Sequence, residues 1–234
     1  MKKRFLALLL MLVMVVGMLP TAALGANAYS VQAVDASDVR TVLADTLEQL
    51  AADVPEPTFG TSGGEWSILA LARGGYFDNL NYDYFAGYYD RIVETVNETA
   101  AEVDQGGALD KTKLTENSRL IMALSAIGKE STQVGDWNIV EPLSSIDNVA
   151  RQGINGPIYA LLALDTFDYE TSNAEIRQEC VSFILEKQLA DGGWALFGTA
   201  GDPDITSMAL QALANYQDQD TVKAAVERDR KSVV

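Results

Sequence analysis

Two neighbouring segments carry the clearest structural signal: Cys180-Val-Ser-Phe-Ile-Leu-Glu-Lys-Gln-Leu-Ala-Asp-Gly-Gly-Trp194 and Asp202-Pro-Asp-Ile-Thr-Ser-Met-Ala-Leu-Gln-Ala-Leu-Ala-Asn-Tyr216. The first predicts an amphipathic helix that ends near Gln188, followed by a Gly-Gly turn that carries Trp194. The second predicts a helix that is apolar on almost every side and therefore buried. A half-buried helix followed by a fully buried one predicts two concentric layers of helices.

The buried type of helix recurs along the chain. An Ala-Leu-x-Ala-(Leu/Ile) core occurs at residues 123–127, 160–164 and 209–213, with spacings of 37 and 49 residues that are typical of helix-pair repeats. A fourth apolar segment begins at Trp66, and amphipathic segments lie between the apolar ones. In one of these segments the residues that fall on a single, predicted buried face are Phe85, Tyr88, Ile92, Val96 and Ala100. The sequence therefore predicts an all-α fold, an α/α toroid whose helical hairpins form an incomplete arc with an exposed apolar edge.

Local signals predict where several helices begin. Residues 37–52 are predicted to form an N-terminal helix that Ser37 opens. Asp202 is predicted to cap a helix whose first residue is Pro203, because proline suits the first helical position. Asn155 or Gly156 is predicted to cap the helix whose first residue is Pro157.

The N-terminus has the pattern of a Sec-type signal peptide. Positive residues at 2–4 precede an apolar run at 5–19, and Ala26-Asn27-Ala28 is a small-x-small cleavage site. The apolar run is shorter than the roughly 20 residues that a membrane-spanning helix needs. We therefore expect cleavage near Ala28, a secreted or cell-surface protein, and no membrane span after cleavage.

Four regions follow from these patterns. Residues 1–28 are the predicted signal peptide, and residues 29–57 an N-terminal helix and linker. Residues 58–228 are the predicted toroid domain. Residues 229–234 read as a non-native tail, because the predicted helix near Asp220 is cut off there without a stop signal.

Composition excludes several kinds of function. The 234 residues contain 17 basic and 33 acidic side chains, a net charge of −16 at pH 7, which argues against nucleic acid or anionic lipid as a partner. One cysteine, Cys180, allows no intrachain disulfide and suits a small buried apolar role. With no histidine, neither a Ser-His nor a Cys-His nucleophile pair can form.

Gln188-Leu-Ala-Asp-Gly-Gly-Trp194 resembles the Gln-Trp repeat of the terpenoid cyclase and protein prenyltransferase superfamily, whose members include squalene cyclase. Gln133-Val-Gly-Asp-Trp137 is a weaker copy, and Gly63-Gly-Glu-Trp66 keeps the glycines and the tryptophan. The resemblance implies that Gln188 fastens a neighbouring helix. The residues expected to have this structural role are Gln188, Gly192, Gly193, Trp194 and Trp137.

The same resemblance draws attention to Asp202 and Asp204. Squalene-type cyclases carry an acidic stretch there whose central Asp protonates the terpene, and Ile205 replaces the last carboxylate of that stretch here. An alkene-protonating acid must be held neutral by burial. The alternative is that Asp202 caps the helix and Asp204 favours its dipole.

Other members of the superfamily require residues that this sequence lacks. Those that hold zinc use Cys and His, so we expect no metal site and no tightly bound cofactor. The secreted toroids of the transcobalamin and intrinsic factor group bind cobalamin without metal ligands or catalysis. Apolar segments such as Asn155-Gly-Pro-Ile-Tyr-Ala-Leu-Leu-Ala-Leu164 are similar in style to their inner helices.

Aromatic residues provide the candidate ligand contacts. Tyrosines crowd the segment 76–89 together with two phenylalanines, and a tyrosine or tryptophan offers a flat apolar face with a polar tip. The alternative is that this segment is a corner packed against the neighbouring hairpin. The predicted ligand-binding residues are Trp66, Tyr76, Tyr82, Tyr84, Tyr88, Tyr89 and Tyr159.

These observations favour a secreted, non-catalytic α/α-toroid module that binds a small molecule or glycan at the cell surface, with cobalamin capture as its most specific form. One alternative is a cyclase-like enzyme that acts on an isoprenoid, with Asp204 as general acid. Another is a structural repeat of a larger surface protein.

Overall fold

The computed structural model describes residues 35–76 and 82–232. The chain divides into two compact units, residues 1–41 and 42–234. The described part of the first unit, residues 35–41, begins a helix, and the rest of the fold belongs to the second unit. The predicted signal peptide, residues 1–28, lies outside the described residues.

The described part of the chain is helical, as the sequence predicts, and its one β-type pairing is an isolated bridge between Val134 and Trp137. Nine α-helices are found there: α1 (Ala36–Asp53), α2 (Trp66–Arg73), α3 (Tyr82–Val103), α4 (Thr115–Ala126), α5 (Ile146–Val149), α6 (Asn155–Asp165), α7 (Ile176–Glu186), α8 (Pro203–Ala212) and α9 (Asp220–Ser232). A π-helical turn, Thr61–Glu65, leads directly into α2. Within the described residues, none of these helices has the length and apolarity to cross a membrane.

Helices α4 and α6 form the centre of the second unit. Both are buried on most of their surface, because alanines on successive turns let neighbouring helices approach closely. The amphipathic helices α3 and α7 each bury one face. In α3 that face is the predicted one, and its members are all at most 3 % exposed: Phe85, Tyr88, Ile92, Val96 and Ala100.

The apolar helices pack in chain order. Helix α2 contacts α4, α4 contacts α6, and α6 contacts α8. The amphipathic α7 packs on α6, and α9 packs on α7. The apolar helices thus form one layer, partly covered by the amphipathic ones.

Two features of the layering differ from the prediction. No long amphipathic helix separates α4 from α6 in the described structure, because residues 129–154 contain helix breakers such as Gly135 and Pro142 and form short helical turns instead. Helix α8 is not buried all round, since Ala209 and Ala212 are its only fully buried residues. It lies at the end of the layer, where α6 covers one side.

Helix starts agree with the sequence in one case and differ in two. Asp202 accepts hydrogen bonds from the backbone N–H groups of Asp204 and Ile205 at 2.9 and 3.0 Å, and so caps α8 as predicted. The predicted Asn155 cap is wrong, because α6 already includes Asn155 and Ile154 precedes it without a side-chain capping bond. The N-terminal helix begins one residue earlier than predicted.

A completely buried asparagine, Asn117, holds α4 to the loops around it. Its Oδ1 accepts a hydrogen bond from the backbone N–H of Leu109, and its Nδ2 donates to the carbonyl oxygens of Gly107 and Ile139, each at 2.9 Å. All three contacts lie in the interior, so this side chain fixes two loops against the N-terminal end of α4.

Candidate functional site

The Gly-Gly turn before α8 is joined to α9. Gln188 Nε2 donates hydrogen bonds to the carbonyl oxygens of Gly192 at 2.7 Å and Ala225, within α9, at 2.8 Å. The ring of Trp194 is fully buried, and its Nε1 donates to the carbonyl oxygen of Ile184 at 2.7 Å. These contacts are those of a structural fastener, and they leave no face of Trp194 for a ligand.

The two weaker copies of this motif are built differently. Gln133 is exposed, and Val134 and Trp137 exchange backbone hydrogen bonds at 2.8 and 3.2 Å, which close a tight turn. Trp137 is half-buried against the core. Trp66, by contrast, is 40 % exposed at the first position of α2. Trp66 is therefore free to contact a ligand, unlike Trp194.

Asp202 and Asp204 lie at the start of α8. The carboxylate of Asp202 is occupied by the capping bonds described above, and Asp204 is exposed. A carboxyl that protonates an alkene needs burial to stay neutral, and Asp204 lacks it. The capping interpretation accounts for both residues.

Most of the aromatic segment 76–89 packs upon itself. The rings of Tyr76 and Tyr84 meet edge to face with centroids 6.1 Å apart, and Tyr84 and Phe85 meet at 5.6 Å. Burial raises the pKa of Tyr84 to about 12, and its hydroxyl donates to the carbonyl oxygen of Val54 at 2.6 Å. Tyr82 was predicted with this group, but its side chain is not among those that the structure describes. Among the described residues of this segment, Tyr76, Tyr84 and Phe85 form a packed corner.

The remaining predicted aromatics form the candidate site. The rings of Trp66 and Tyr159 meet at a centroid distance of 6.2 Å and an interplanar angle of 65°. Trp66 begins α2 and Tyr159 lies in the second turn of α6, and α4 packs against both helices. The ring contact therefore joins the first residue of α2 to the second turn of α6.

Three charged residues next to these rings were not predicted from the sequence: Glu65, Glu116 and Arg119. Arg119 pairs with Glu116 through both terminal nitrogens, and its Nε lies 3.7 Å from Glu65 Oε2. Arg119 also acts electrostatically on the Tyr159 hydroxyl. We call these three residues, together with Trp66 and Tyr159, the Trp66 cluster.

The carboxylate of Glu65 is only partly compensated. Glu65 is 1 % exposed, and its Oε1 accepts a hydrogen bond from the backbone N–H of Gly60 at 2.9 Å. Its Oε2, the Nε of Arg119 and the hydroxyl of Tyr88 are all buried without a hydrogen-bond partner among the described residues. Burial raises the pKa of Glu65, although the Gly60 hydrogen bond and Arg119 act in the opposite direction. An interior carboxylate in this state can accept a further donor or positive charge.

Two of these helices, α4 and α6, have further partly exposed residues. On α6 the partly exposed residues are Asn155, Tyr159, Leu162 and Asp165, and on α4 they are Glu116 and Ala126. Spacings of three and four residues place such side chains on one helical face. Asn155 Oδ1 is a further buried oxygen without a partner in the described structure. The accessible face of α6 thus includes Tyr159 of the Trp66 cluster.

Groups that could support metal or thiol chemistry are not assembled here. The described residues contain no group of three His, Cys, Asp or Glu side chains that could hold a metal ion. Cys180 is fully buried, and burial raises the pKa of its thiol to about 12. A thiol in this environment is protonated and a poor nucleophile.

Comparisons with protein-family models, with curated proteins and with solved structures found no match to this chain. The resemblance to the cyclase and prenyltransferase superfamily therefore rests on the sequence motifs.

Proposed function

We propose that this chain is a secreted, non-catalytic ligand-binding module of the α/α-toroid type, and that its ligand binds at the Trp66 cluster. One observation carries the proposal. Trp66 is 40 % exposed and meets Tyr159 at 6.2 Å, beside the buried carboxylate of Glu65, whose Oε2 has no hydrogen-bond partner among the described residues. Aromatic side chains together with a few polar groups are the usual lining of a small-molecule site.

The order of packing supports the toroid arrangement. Successive apolar helices contact one another, and amphipathic helices cover part of that layer. Trp66 at the start of α2 contacts Tyr159 near the start of α6, and both helices pack against α4. A layer of successive inner helices that outer helices partly cover is the arrangement expected of repeated hairpins in a toroid.

A binding role fits the chain better than catalysis. The only thiol is buried with a raised pKa, and the predicted general acid, Asp204, is exposed. The acidic charge and the signal-peptide pattern suit a secreted protein that must stay soluble. The resemblance to cobalamin carriers makes a corrinoid the first ligand to test.

The proposal can be tested with cyanocobalamin, maltotetraose and choline, titrated separately into the full chain. Calorimetry and tryptophan fluorescence would follow binding, and absorbance would follow the corrinoid. We expect at least one probe to bind, with binding lost in Trp66→Ala. Phe197→Ala is the matched control, since Phe197 is 86 % exposed and lies in the loop before α8.

Two results would overturn the proposal: none of the three probes binds, or binding is the same in Trp66→Ala as in the unmodified protein. Circular dichroism and thermal melting of each variant would show that the fold is retained.

A further inference from the structure

The charges of the Trp66 cluster do not balance. Two carboxylates, Glu65 and Glu116, surround a single guanidinium, that of Arg119. Glu116 uses both of its oxygens on the terminal nitrogens of Arg119. Among the ion pairs of the described residues, no second cation joins this group. With both carboxylates ionised, the cluster carries one uncompensated negative charge.

The Glu65 carboxylate is the less compensated of the two, and burial raises its pKa, so a cation bound nearby would favour its ionised form. Its Oε2 lies 3.7 Å from Arg119 Nε without forming a hydrogen bond, and the residue is 1 % exposed. A buried carboxylate is costly unless it is paired. Positive charge brought close to it would offset that cost, whereas an anion would add to it.

The aromatic side chains provide the second half of the site. The faces of Trp and Tyr attract cations that lie within about 6 Å of the ring centroid. The Trp66 and Tyr159 centroids are 6.2 Å apart and their planes differ by 65°, so one cation can lie within reach of both rings. Burial raises the pKa of Tyr159, so its phenol stays neutral and adds no charge of its own.

We propose that the Trp66 cluster binds an organic cation, an alkylammonium group, with the aromatic corner around the group and the uncompensated carboxylate charge beside it. This inference rests on the proposed function and names its ligand class. Glu116 is the more accessible of the two carboxylates, since 23 % of its side chain is accessible and 1 % of the Glu65 side chain is. The net charge of −16 on the chain raises the local concentration of cations.

A neutral polyol is the competing ligand for an aromatic corner. Its hydroxyl groups can satisfy the unpartnered Glu65 Oε2 and Arg119 Nε, but they leave the negative charge in place. The two ligand classes are separated by a pair of probes that differ only in charge. Choline and 3,3-dimethyl-1-butanol have the same shape, with a quaternary nitrogen in the first and a carbon in the second.

The experiment measures dissociation constants of both probes by calorimetry, with the full chain. We expect choline to bind about tenfold tighter than 3,3-dimethyl-1-butanol, or more, since a desolvated cation–aromatic contact is worth about that factor. Titration with Nα-acetyl-lysine amide shows whether the same site also accepts a primary ammonium, such as a peptide lysine. Tighter binding of the lysine probe than of choline indicates a peptide source, and the reverse indicates a methylated small molecule.

Variants test the assignment to this cluster. Glu116→Gln is expected to weaken choline binding several-fold and to leave 3,3-dimethyl-1-butanol unchanged. Glu94→Gln, an exposed position on the outer helix α3, is the control for overall charge. Trp66→Phe keeps an aromatic face and is expected to weaken choline less than Trp66→Ala does.

Equal affinity for the two probes overturns the inference. If that common affinity still depends on Trp66, the proposed ligand site stands and only the ligand class is wrong. If cyanocobalamin or maltotetraose binds and choline does not, the proposed ligand site likewise stands and only the ligand class is wrong. If no probe binds, the inference and the proposed function both fail.

Discussion

Replacing Gly192 by alanine tests the contact between the Gly-Gly turn and α9. Gly192 has φ +91°, and a Cβ atom built there lies 2.7 Å from the carbonyl oxygen of Arg228 and 2.9 Å from the backbone nitrogen of Asp229. Those atoms belong to the α9 backbone and cannot rotate away. Gly192→Ala must therefore displace α9 as well as adopt a strained conformation.

The chain offers a matched control in Gly198. Its φ is +92°, and nothing lies within 4 Å of a Cβ built there. The left-handed conformation costs a non-glycine residue about 1–2 kcal/mol. Both variants carry this cost, and both gain about 0.4–1 kcal/mol from the less flexible unfolded chain. The difference between them isolates the contact with α9.

Forcing an extra carbon atom into packed structure typically costs about 1–3 kcal/mol. Gly192→Ala should therefore be about 1–3 kcal/mol less stable than Gly198→Ala, and its melting temperature should be lower by at least about 2 °C. Urea denaturation followed by circular dichroism measures the free energies of unfolding. Hydrogen exchange should also show faster exchange in α9 for Gly192→Ala alone. Equal stability of the two variants would refute the packing of the turn on α9.

Three further predictions concern residues that hold the fold and the site together. Gln188→Ala loses hydrogen bonds to two carbonyl oxygens, so chemical denaturation should show a free energy of unfolding about 2 kcal/mol lower. The control Gln133→Ala, at an exposed position, should change it by less than about 0.5 kcal/mol. Equal effects of the two substitutions would contradict the fastener role of Gln188. Asn117→Ala leaves three buried backbone groups unpaired and should lower the free energy of unfolding by about 3 kcal/mol or more. A decrease below about 1 kcal/mol would show that water replaces the side chain. Burial raises the pKa of Glu65, so the unmodified protein should lose stability as pH rises through that pKa, while Glu65→Gln should not. Between about pH 4 and pH 8 the difference in unfolding free energy should move in favour of the variant by about 1.4 kcal/mol for each unit by which the pKa is raised. Parallel pH profiles of the two proteins would show that Glu65 is not perturbed.

The helical layers could be predicted because they depend on local periodicity. The apolar face of α3 repeats every three or four residues, and all five of its predicted members are buried. The cap at Asp202 could be predicted for the same reason, since Asp followed by Pro at a helix start is a local signal. The predicted burial of α8 failed because a sequence pattern does not show how many neighbours a helix has.

The charged part of the site could not be predicted in this way. Glu65 and Arg119 are 54 residues apart and become neighbours only when α2 packs on α4. Charged residues are rarely buried unless paired, so each looked like an ordinary surface residue in the sequence. A weak signal existed at Arg119, which directly precedes the apolar and small residues 120–127, where a lone cation needs a partner.

The position of Trp66 follows from one extra residue. The residue directly after the Gly-Gly pair is buried in both copies of the motif: Trp194 in one, at 0 % exposed, and Glu65 in the other, at 1 %. In the earlier copy Glu65 separates the glycines from the tryptophan. Successive residues of a helical turn point about 100° apart, so Trp66 cannot take the buried direction that Glu65 occupies. Aligning the copies on tryptophan suggests that Trp66 is a structural residue like Trp194, whereas aligning them on the glycines accounts for both the buried carboxylate and the accessible ring. The same insertion thus creates both halves of the proposed site.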